Sequence, residues 1–115
     1  MSRKVKANRF NQNKPGTYLI PADALLDIAK VYDFGAIKYG AHNWCSGLEW
    51  DKGTSASLER HLLKWRSGED VDEESGLPHD LHIAWNAITM VAHRLRGIGI
   101  DDRFKIAKVK KTKKR

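Results

Sequence analysis

Carboxylate and histidine side chains are concentrated between residues 55 and 96, a composition that suits a divalent metal or a phosphate-handling site. The candidate metal ligands are Glu59, Glu69, Asp70, His79 and His82. Clustered carboxylates repel one another unless a cation neutralises them, and Mg²⁺ or Mn²⁺ is the usual partner of oxygen-rich sites. An ion held in this way can neutralise phosphate charge and acidify a water for attack on phosphorus. The pair His79 and His82, on one helix face, would also accept Zn²⁺.

Two predicted helices must position these groups. The second helix of the chain begins near Thr54 or Ser55, both good N-cap residues. The third spans residues 78–97, from a proline to a glycine that favour the two ends of a helix. Because the two helices are expected to be antiparallel, Glu59 and the histidines at the start of the third helix converge near the acidic loop 68–76.

The acidic residues Asp72, Glu73 and Glu74 have a second interpretation. They lie just before the third helix, where negative charge favours the helix N-terminus. On that interpretation they form a solvated loop and bind no ligand, and the candidate site rests on the other carboxylates and the histidines.

The third helix carries two different faces. The helical repeat predicts a core stripe of Leu81, Ala84, Trp85, Ile88, Val91, Ala92 and Leu95. A sector about 60° wide, roughly opposite the centre of that stripe, holds His79, His82, Asn86 and His93. Apolar residues border this polar sector, so we expect another helix, a second subunit or a bound ligand to cover it.

Residues 21–39 predict the first helix, because apolar residues recur there at spacings of three and four. Residues 41–53 predict a loop that contains Trp44 and Trp50. Either these tryptophans close the end of a small helical core, or one of them stacks on a ligand ring. No stretch alternates like a strand, so the expected fold is all-α.

The net charge of +7 is unevenly distributed. Residues 103–115 hold eight basic and no acidic residues, residues 1–14 hold five basic and no acidic residues, and residues 15–102 have a net charge of −6. We therefore expect an extended N-terminal arm (1–17), one small helical bundle (18–102) completed by oligomerisation, and a disordered basic tail (103–115). Nucleic acid would be contacted only through that tail, without selectivity.

The composition indicates a cytoplasmic protein. Cys45 is the single cysteine, which excludes an internal disulfide and suits a reducing compartment. The basic N-terminus is followed by no apolar segment of the kind found in secretory signals. The apolar runs are too short to span a bilayer, so no membrane partner is expected.

Several short motifs occur together in an order that resembles a known phage family. In chain order they are Asn13-Lys14-Pro15, Leu19-Ile20-Pro21, residues 34–40 (FGAIKYG), Asn43-Trp44, Gly47, Arg60-His61-Leu62, Gly68-Glu69-Asp70, Glu74-Ser75-Gly76, His79-x-x-His82 and Asn86-Ala87. Over residues 11–95 the chain resembles the phage dATP/dGTP diphosphohydrolase family (MazZ-like, N-terminal domain). The resemblance implies a small phage enzyme that splits a deoxynucleoside triphosphate into the monophosphate and pyrophosphate. Such a protein would work in the cytoplasm of an infected host cell.

The resemblance also implies distant kinship with the MazG-type nucleotide pyrophosphohydrolases, which are all-α, depend on Mg²⁺ and generally work as oligomers. Their signature is Glu-x-x-Glu on one helix and Glu-x-x-Asp on the next. Here Glu59 is followed at that spacing by Leu62, and Glu69-x-x-Asp72 lies in a predicted loop. The metal ligands therefore do not carry over directly from that signature.

The first hypothesis is a metal-dependent purine deoxynucleoside triphosphate diphosphohydrolase. Its catalytic residues would be Glu59, Glu69 and Asp70, which with His79 and His82 would hold the metal or activate the water. The substrate-binding residues would be Lys38, Arg60 and His61 on the phosphates, Asn43 and Trp44 on the base, and Asn86, which would orient a ligand or a histidine.

Two other hypotheses remain open. In the first, a phage nucleotide-binding protein sequesters a host nucleotide or nucleotide signal without cleaving it, through the same basic and aromatic residues. In the second, a nucleic-acid-binding accessory protein works through the lysine-rich tail. Chelator-insensitive binding of an intact ligand would favour the first, and loss of binding on deletion of residues 105–115 would favour the second.

Overall fold

Three α-helices make up most of the structure, a computed structural model that describes residues 13–106. They are α1 (Ala22–Tyr39), α2 (Ala56–Arg66) and α3 (His79–Arg96). Short helical turns occupy Thr17–Leu19, Asn43–Ser46 and Trp50–Ser55. Residues 13–106 contain two isolated β-bridges and no strand, so the predicted all-α fold is confirmed. The parts of the predicted arm and tail at residues 1–12 and 107–115 lie outside the described residues.

The two ends of α1 follow from local chemistry. The Asp23 carboxylate accepts a hydrogen bond from the Ala24 N–H at 2.8 Å, and its negative charge favours the first turn of the helix. At the other end Gly40 has a φ of 99°, which residues with a side chain rarely adopt. Its N–H donates to the Ala36 carbonyl at 2.9 Å. The observed helix agrees with the predicted one within a residue.

Helix α2 begins where the sequence predicted, with Ser55 at its N-cap position, although the Ser55 side chain makes no capping hydrogen bond. Residues Trp50–Ser55 form a π-helical turn, so regular α-helix starts at Ala56. Thr54 does not act as an N-cap: its side chain is buried and its hydroxyl has no hydrogen-bond partner. The turn is held instead by Asp102, whose carboxylate accepts hydrogen bonds from two backbone N–H groups of the turn at 2.6 and 3.0 Å. This contact ties the segment after α3 to the start of α2.

Helices α2 and α3 pack side by side and run antiparallel, as predicted. Near the start of α2, Ser57 lies opposite Asn86, with 3.3 Å between its hydroxyl and the Asn86 Nδ2. One turn further along α2, His61 lies opposite His79, near the start of α3. Helix α1 packs against α3 as well. Helices α1 and α2 therefore both pack against α3.

The acidic loop between α2 and α3 folds back on itself. The Asp72 N–H donates to the Leu77 carbonyl at 2.8 Å, and the His79 N–H donates to the Asp70 carbonyl at 2.8 Å. Asp72 is half-buried, while positions 73 and 74 are exposed. The interpretation of a purely solvated acidic segment therefore fails for Asp72, because the loop holds its backbone and side chain in place.

The polar sector of α3 is covered, as predicted, but it is more deeply buried than the predicted core stripe. The buried residues include the whole polar sector: His79, His82, Asn86, Thr89 and His93. Three of the seven predicted core residues are exposed, Ile88 at 39%, Val91 at 48% and Leu95 at 70%; the other four are half-buried or, in the case of Leu81, buried. The polar side chains can be buried because α2, the loop and the turn after α1 supply hydrogen-bond partners. We call Ile88, Val91 and Leu95 the apolar α3 face, which residues 13–106 leave between 39% and 70% exposed.

Candidate functional site

A cavity of about 850 Å³ lies between the C-terminal half of α1, the turn that follows it, and the facing sides of α2 and α3. All six residues predicted to bind substrate line it: Lys38, Asn43, Trp44, Arg60, His61 and Asn86. Small-molecule sites commonly enclose roughly 300–1,000 Å³. The fold therefore brings separate parts of the chain around a space large enough for a nucleotide.

Aromatic rings form one wall of this cavity. Tyr32 lies edge-on to Trp44, with 6.5 Å between ring centroids, and is tilted to Trp85 at 6.0 Å. The His93 Nε2 lies 2.9 Å from the Trp44 carbonyl oxygen and donates to it. The Arg96 guanidinium lies 5.2 Å from the centre of the Trp44 ring. Trp44 therefore packs against the fold and also borders the cavity, so the two interpretations of this residue coexist.

Trp50 has a structural role. Its indole Nε1–H donates to the Ile98 carbonyl at 3.2 Å, and the Arg103 guanidinium lies 5.2 Å from its ring centre. Trp50 is not among the residues that line the cavity. Of the two predicted loop tryptophans, this one closes the end of the helical core.

Basic side chains line a different side of the cavity. Lys38, Arg60 and Lys64 all contribute to its wall. Lys38 forms an ion pair with Glu74, which also lines the cavity. Arg60 and Lys64 form no ion pair with any carboxylate of residues 13–106. This side of the cavity therefore suits an anionic group.

His61 and His79 meet at the interface between α2 and α3. Their Nδ1 atoms are 2.8 Å apart, so one ring donates a proton to the other. The His79 Nε2 lies 2.6 Å from the Glu69 Oε2, and a carboxylate can only accept, so this nitrogen donates. In the neutral tautomer the His79 Nδ1 then carries a lone pair, which accepts the proton of the His61 Nδ1.

Ser75 holds Asp72 and His82 together. Its backbone N–H donates to the Asp72 Oδ2 at 2.9 Å, and its hydroxyl lies 2.7 Å from the His82 Nε2. The same hydroxyl accepts the Leu77 N–H at 3.1 Å, which leaves its own proton to donate to His82. The His82 ring stacks on His61 with centroids 4.4 Å apart and planes within 6°.

Burial and hydrogen bonding together set the protonation of His61, His82 and Asp72. Burial lowers the pKa of His61 to about 4, and the neighbouring His82 adds to the effect. Burial also lowers the pKa of His82. For Asp72, burial acts to raise the pKa, but the hydrogen bonds from Ser75 outweigh it and hold the pKa below its usual value. Near neutral pH the two rings are therefore uncharged and the carboxylate is ionised, the states in which they can ligate a cation.

One donor atom from each of His61, Asp72 and His79 lies within 4.8 Å of the others, a spacing that can hold a metal ion. We call these three residues the histidine–carboxylate cluster. Of the five predicted metal ligands, only His79 belongs to it. Glu69 bonds the opposite nitrogen of His79, and the His82 Nε2 lies 3.9 Å from the Asp72 Oδ2.

The other two predicted ligands, Glu59 and Asp70, are exposed. Neither belongs to a group of three metal-capable side chains among residues 13–106. None of the three carboxylates predicted as catalytic, Glu59, Glu69 and Asp70, lines the cavity. The structure therefore brings together the predicted substrate-binding residues but not the predicted catalytic carboxylates.

Sequence reasoning did not single out Asp72 as a site residue. One local signal was available, because Asp followed by Ser three positions later is typical of a turn in which the carboxylate accepts a backbone N–H. The structure contains that bond between Asp72 and Ser75. The approach of His61 to Asp72 has no such signal, because it depends on how α2 packs against the loop.

Comparison with known proteins assigns the chain to a family. Residues 4–103 match the family model described as dATP/dGTP diphosphohydrolase, N-terminal. The chain belongs to this family. A relative named dATP/dGTP diphosphohydrolase, from Salmonella phage PMBT28, is 36% identical over 76 residues, which are 66% of this chain and 26% of the relative. The chain thus spans about a quarter of that relative's length, and no solved structure matches it.

The family assignment confirms the resemblance that the motifs predicted. The cavity and the histidine–carboxylate cluster both lie within the matched residues 4–103. The basic segment after residue 103 is outside the match. The family likeness therefore extends over the whole candidate site.

Proposed function

We propose that the chain binds a purine deoxynucleoside triphosphate, dATP or dGTP, and hydrolyses it to the monophosphate and pyrophosphate. The observation that carries this proposal is the single cavity lined by all six predicted substrate-binding residues. The histidine–carboxylate cluster contributes two of its members, His61 and Asp72, to the same cavity wall. The name of the family and that of the phage relative support the choice of substrate and reaction.

The aromatic wall would bind the base. Trp44 offers a ring for stacking, and base–aromatic stacking contributes about 1–3 kcal/mol. Asn86 would add a polar contact: its Nδ2 donates to the His82 carbonyl at 2.9 Å and to the Ser57 hydroxyl at 3.3 Å. These bonds orient the amide and leave its oxygen to accept an N–H of the purine. Asn43 lines the cavity near Trp44 and would complete the contacts to the base.

The basic side of the cavity would bind the triphosphate. Arg60 presents a planar set of donors that matches phosphate oxygens, and Lys64 lies one turn away on the same helix. Lys38 would exchange its Glu74 partner for a phosphate. His61 lies between the basic residues and His79, at the point where the phosphates would meet the cluster.

A divalent cation such as Mg²⁺ or Mn²⁺, when bound, would neutralise phosphate charge and lower the pKa of a water. The donors of the histidine–carboxylate cluster fit such an ion, because two imidazole nitrogens and a carboxylate oxygen lie within 4.8 Å of one another. The chain would hold those donors in place through Glu69 and Ser75. Burial of His79 would keep bulk water away from that side of the site.

The test is pyrophosphate release from each deoxynucleoside triphosphate in the presence of Mg²⁺ or Mn²⁺. Release from dATP and dGTP is expected to exceed that from dCTP and dTTP at least about tenfold, because the smaller pyrimidines stack less and miss the Asn86 contact. A chelator is expected to stop the reaction. Absence of pyrophosphate with all four substrates would refute hydrolysis by this chain.

Nucleotide binding without turnover is the second candidate. The observation that favours it is that Glu59, Glu69 and Asp70 all lie away from the cavity lining. A protein that sequesters a host nucleotide or nucleotide signal needs the aromatic and basic walls but no catalytic carboxylate. It would bind dATP equally well with and without a chelator, and the ligand would be recovered intact.

We also propose that a second copy of the chain covers the apolar α3 face. Val91 and Leu95 are 48% and 70% exposed on a helix that is otherwise the centre of the fold. Contiguous exposed apolar surface of this kind marks interaction sites. Leu25 and Leu26 on α1 are also exposed, which adds to the apolar surface of the single chain.

Replacing Val91 with glutamate is expected to shift the chain from an oligomer to a monomer in size-exclusion chromatography with light scattering. A charge buried in an apolar interface is strongly unfavourable, which is the physical reason for the shift. Ile37→Glu is the control, because it adds the same charge at an apolar residue that is 88% exposed on α1. A native chain that is already monomeric would contradict the proposal.

The remaining expectations concern nucleic acid, membranes and the place of action in the cell. Nucleic acid would be contacted only through the basic segment 103–115, most of which lies outside the described residues. No helix of residues 13–106 has the length and apolar character needed to cross a membrane. We propose the cytoplasm of an infected host cell as the place of action, on the strength of the phage relative and the single cysteine.

A further inference from the structure

The histidine–carboxylate cluster has a donor set that differs from the oxygen-rich one predicted from sequence. Its members offer two imidazole nitrogens and one carboxylate oxygen within 4.8 Å of one another. Imidazole suits transition ions such as Zn²⁺, Fe²⁺, Ni²⁺ and Cu²⁺, whereas Mg²⁺ prefers carboxylate, carbonyl and water oxygens. The chemistry of the donors therefore selects a different group of ions.

The geometry of the two rings fits a shared ion. The Nδ1 atoms of His61 and His79 are 2.8 Å apart and face each other. Two imidazole nitrogens bound to one ion at about 2.1 Å lie roughly 3 to 3.5 Å apart. Moving the two rings apart by less than about 1 Å would admit the ion. The ion would then take the place of the proton that now joins the two nitrogens.

His79 is oriented as a metal-bound histidine usually is. Metal-bound histidines commonly donate their second ring N–H to a carboxylate, which fixes the tautomer and makes the free nitrogen more basic. Here the His79 Nε2 donates to the Glu69 Oε2 at 2.6 Å, and the ring has no exposed surface. Glu69 is therefore a positioning residue for His79.

The other two donors are also held in place. The Asp72 Oδ2 accepts the Ser75 N–H at 2.9 Å, which leaves its other oxygen as a ligand. The plane of His61 is set by its stacking on His82. Because His61 and Asp72 also line the cavity, the remaining coordination positions of an ion would face the space assigned to the triphosphate.

We propose that His61, Asp72 and His79 form a two-histidine, one-carboxylate site that binds a first-row transition ion in preference to Mg²⁺, with Glu69 and Ser75 as positioning residues. This inference deepens the proposed function, since the ion would be the one that hydrolysis requires. Metal binding can nevertheless be measured with no nucleotide present.

The ligand set is tested with Co²⁺ and the full chain. One equivalent of Co²⁺ is expected to give visible absorption bands typical of nitrogen and oxygen ligation. His61→Ala, Asp72→Asn and His79→Asn are each expected to weaken Co²⁺ binding at least about tenfold. Glu73→Gln, at the exposed neighbour of Asp72, is the matched control and is expected to bind Co²⁺ as the native chain does. Circular dichroism of each variant shows whether it folds.

The preference between ions is tested with Mn²⁺, whose electron paramagnetic resonance signal falls when the free ion binds. Mg²⁺ in about tenfold excess is expected to leave Mn²⁺ bound. Glu69→Gln is expected to weaken Mn²⁺ binding by about 10- to 100-fold in a folded chain, as the loss of a positioning carboxylate should. Equal competition by Mg²⁺, or a loss of binding in Glu59→Gln as large as that in Asp72→Asn, would overturn the assignment.

Failure of this inference can be told apart from failure of the proposed function. A chain that releases pyrophosphate from dATP with Mg²⁺ but binds no Co²⁺ refutes the transition-ion site and leaves the hydrolysis in place. A chain that binds one equivalent of Co²⁺ through these three residues but releases no pyrophosphate with any ion refutes the hydrolysis and leaves the metal site in place.

Discussion

Replacing His79 with alanine is expected to lower the free energy of unfolding by about 2–4 kcal/mol and to stop hydrolysis of dATP. The His79 ring has no exposed surface, so its removal leaves a void at the start of α3. The change also removes the hydrogen-bond partner of His61 and of Glu69, which lie at 2.8 and 2.6 Å. Urea unfolding followed by circular dichroism measures the loss of stability.

Arg94→Ala is the control for this variant, because Arg94 lies on the same helix and is exposed. Its effect is expected to stay within about 0.5 kcal/mol. A double-mutant cycle of Glu69→Ala with His79→Ala is expected to show a coupling energy near the low end of about 0.5–3 kcal/mol, because the Glu69 side chain is 43% exposed and solvent screens the pair. Additive effects in that cycle would contradict an energetic link between the two residues.

Arg60→Met is expected to weaken the binding of dATP about 10- to 100-fold. A hydrogen bond from a charged group contributes about 1.5–3 kcal/mol, and Arg60 can offer more than one such bond to the phosphates. The loss is expected to be the same for dATP and dGTP and to be smaller for the corresponding monophosphates, because the contact is made to phosphate and not to the base. Isothermal titration calorimetry in the presence of a chelator measures binding alone, because the proposed hydrolysis requires a divalent cation.

The chain offers a matched control for Arg60. Arg66 is also exposed on α2 but does not line the cavity, so Arg66→Met changes the net charge equally without changing the proposed contact. The two variants are expected to have the same unfolding free energy within about 0.5 kcal/mol. An equal loss of affinity in both would show that the nucleotide responds to overall charge, and would contradict a specific phosphate contact at Arg60.

The sequence was informative wherever the controlling interaction is local. The ends of α1 and α3 follow from proline and glycine residues, whose backbone preferences act within a few positions along the chain. The start of α2 at Ser55 was also predicted, but Thr54, which has the character of an N-cap, lies in a π-helical turn held by Asp102. That contact spans 51 positions of the chain and has no local signal.

The hydrophobic repeat of α3 did not predict which side of the helix is the more deeply buried. It showed that the histidines share one side of the helix and that Ile88, Val91 and Leu95 share another. It could not tell which side the rest of the chain would cover. The structure buries the histidine side, because α2 and the acidic loop supply partners for its polar atoms, and leaves the apolar side exposed. The hydrophobic pattern of one helix therefore does not show by itself which side the rest of the chain covers.

The sequence by itself determined the all-α fold, the family and six residues that the structure places around the cavity. These depend on helical repeats, on short motifs and on residue types that are present whatever their packing. Only the tertiary structure decided which groups could hold a metal ion. His61 and His79 are 18 positions apart and meet through the antiparallel packing of α2 and α3, while the turn at Ser75 holds Asp72 close to them. Three donor atoms converge on one point only when two helices and a loop are fixed together, and no spacing along the chain specifies that arrangement.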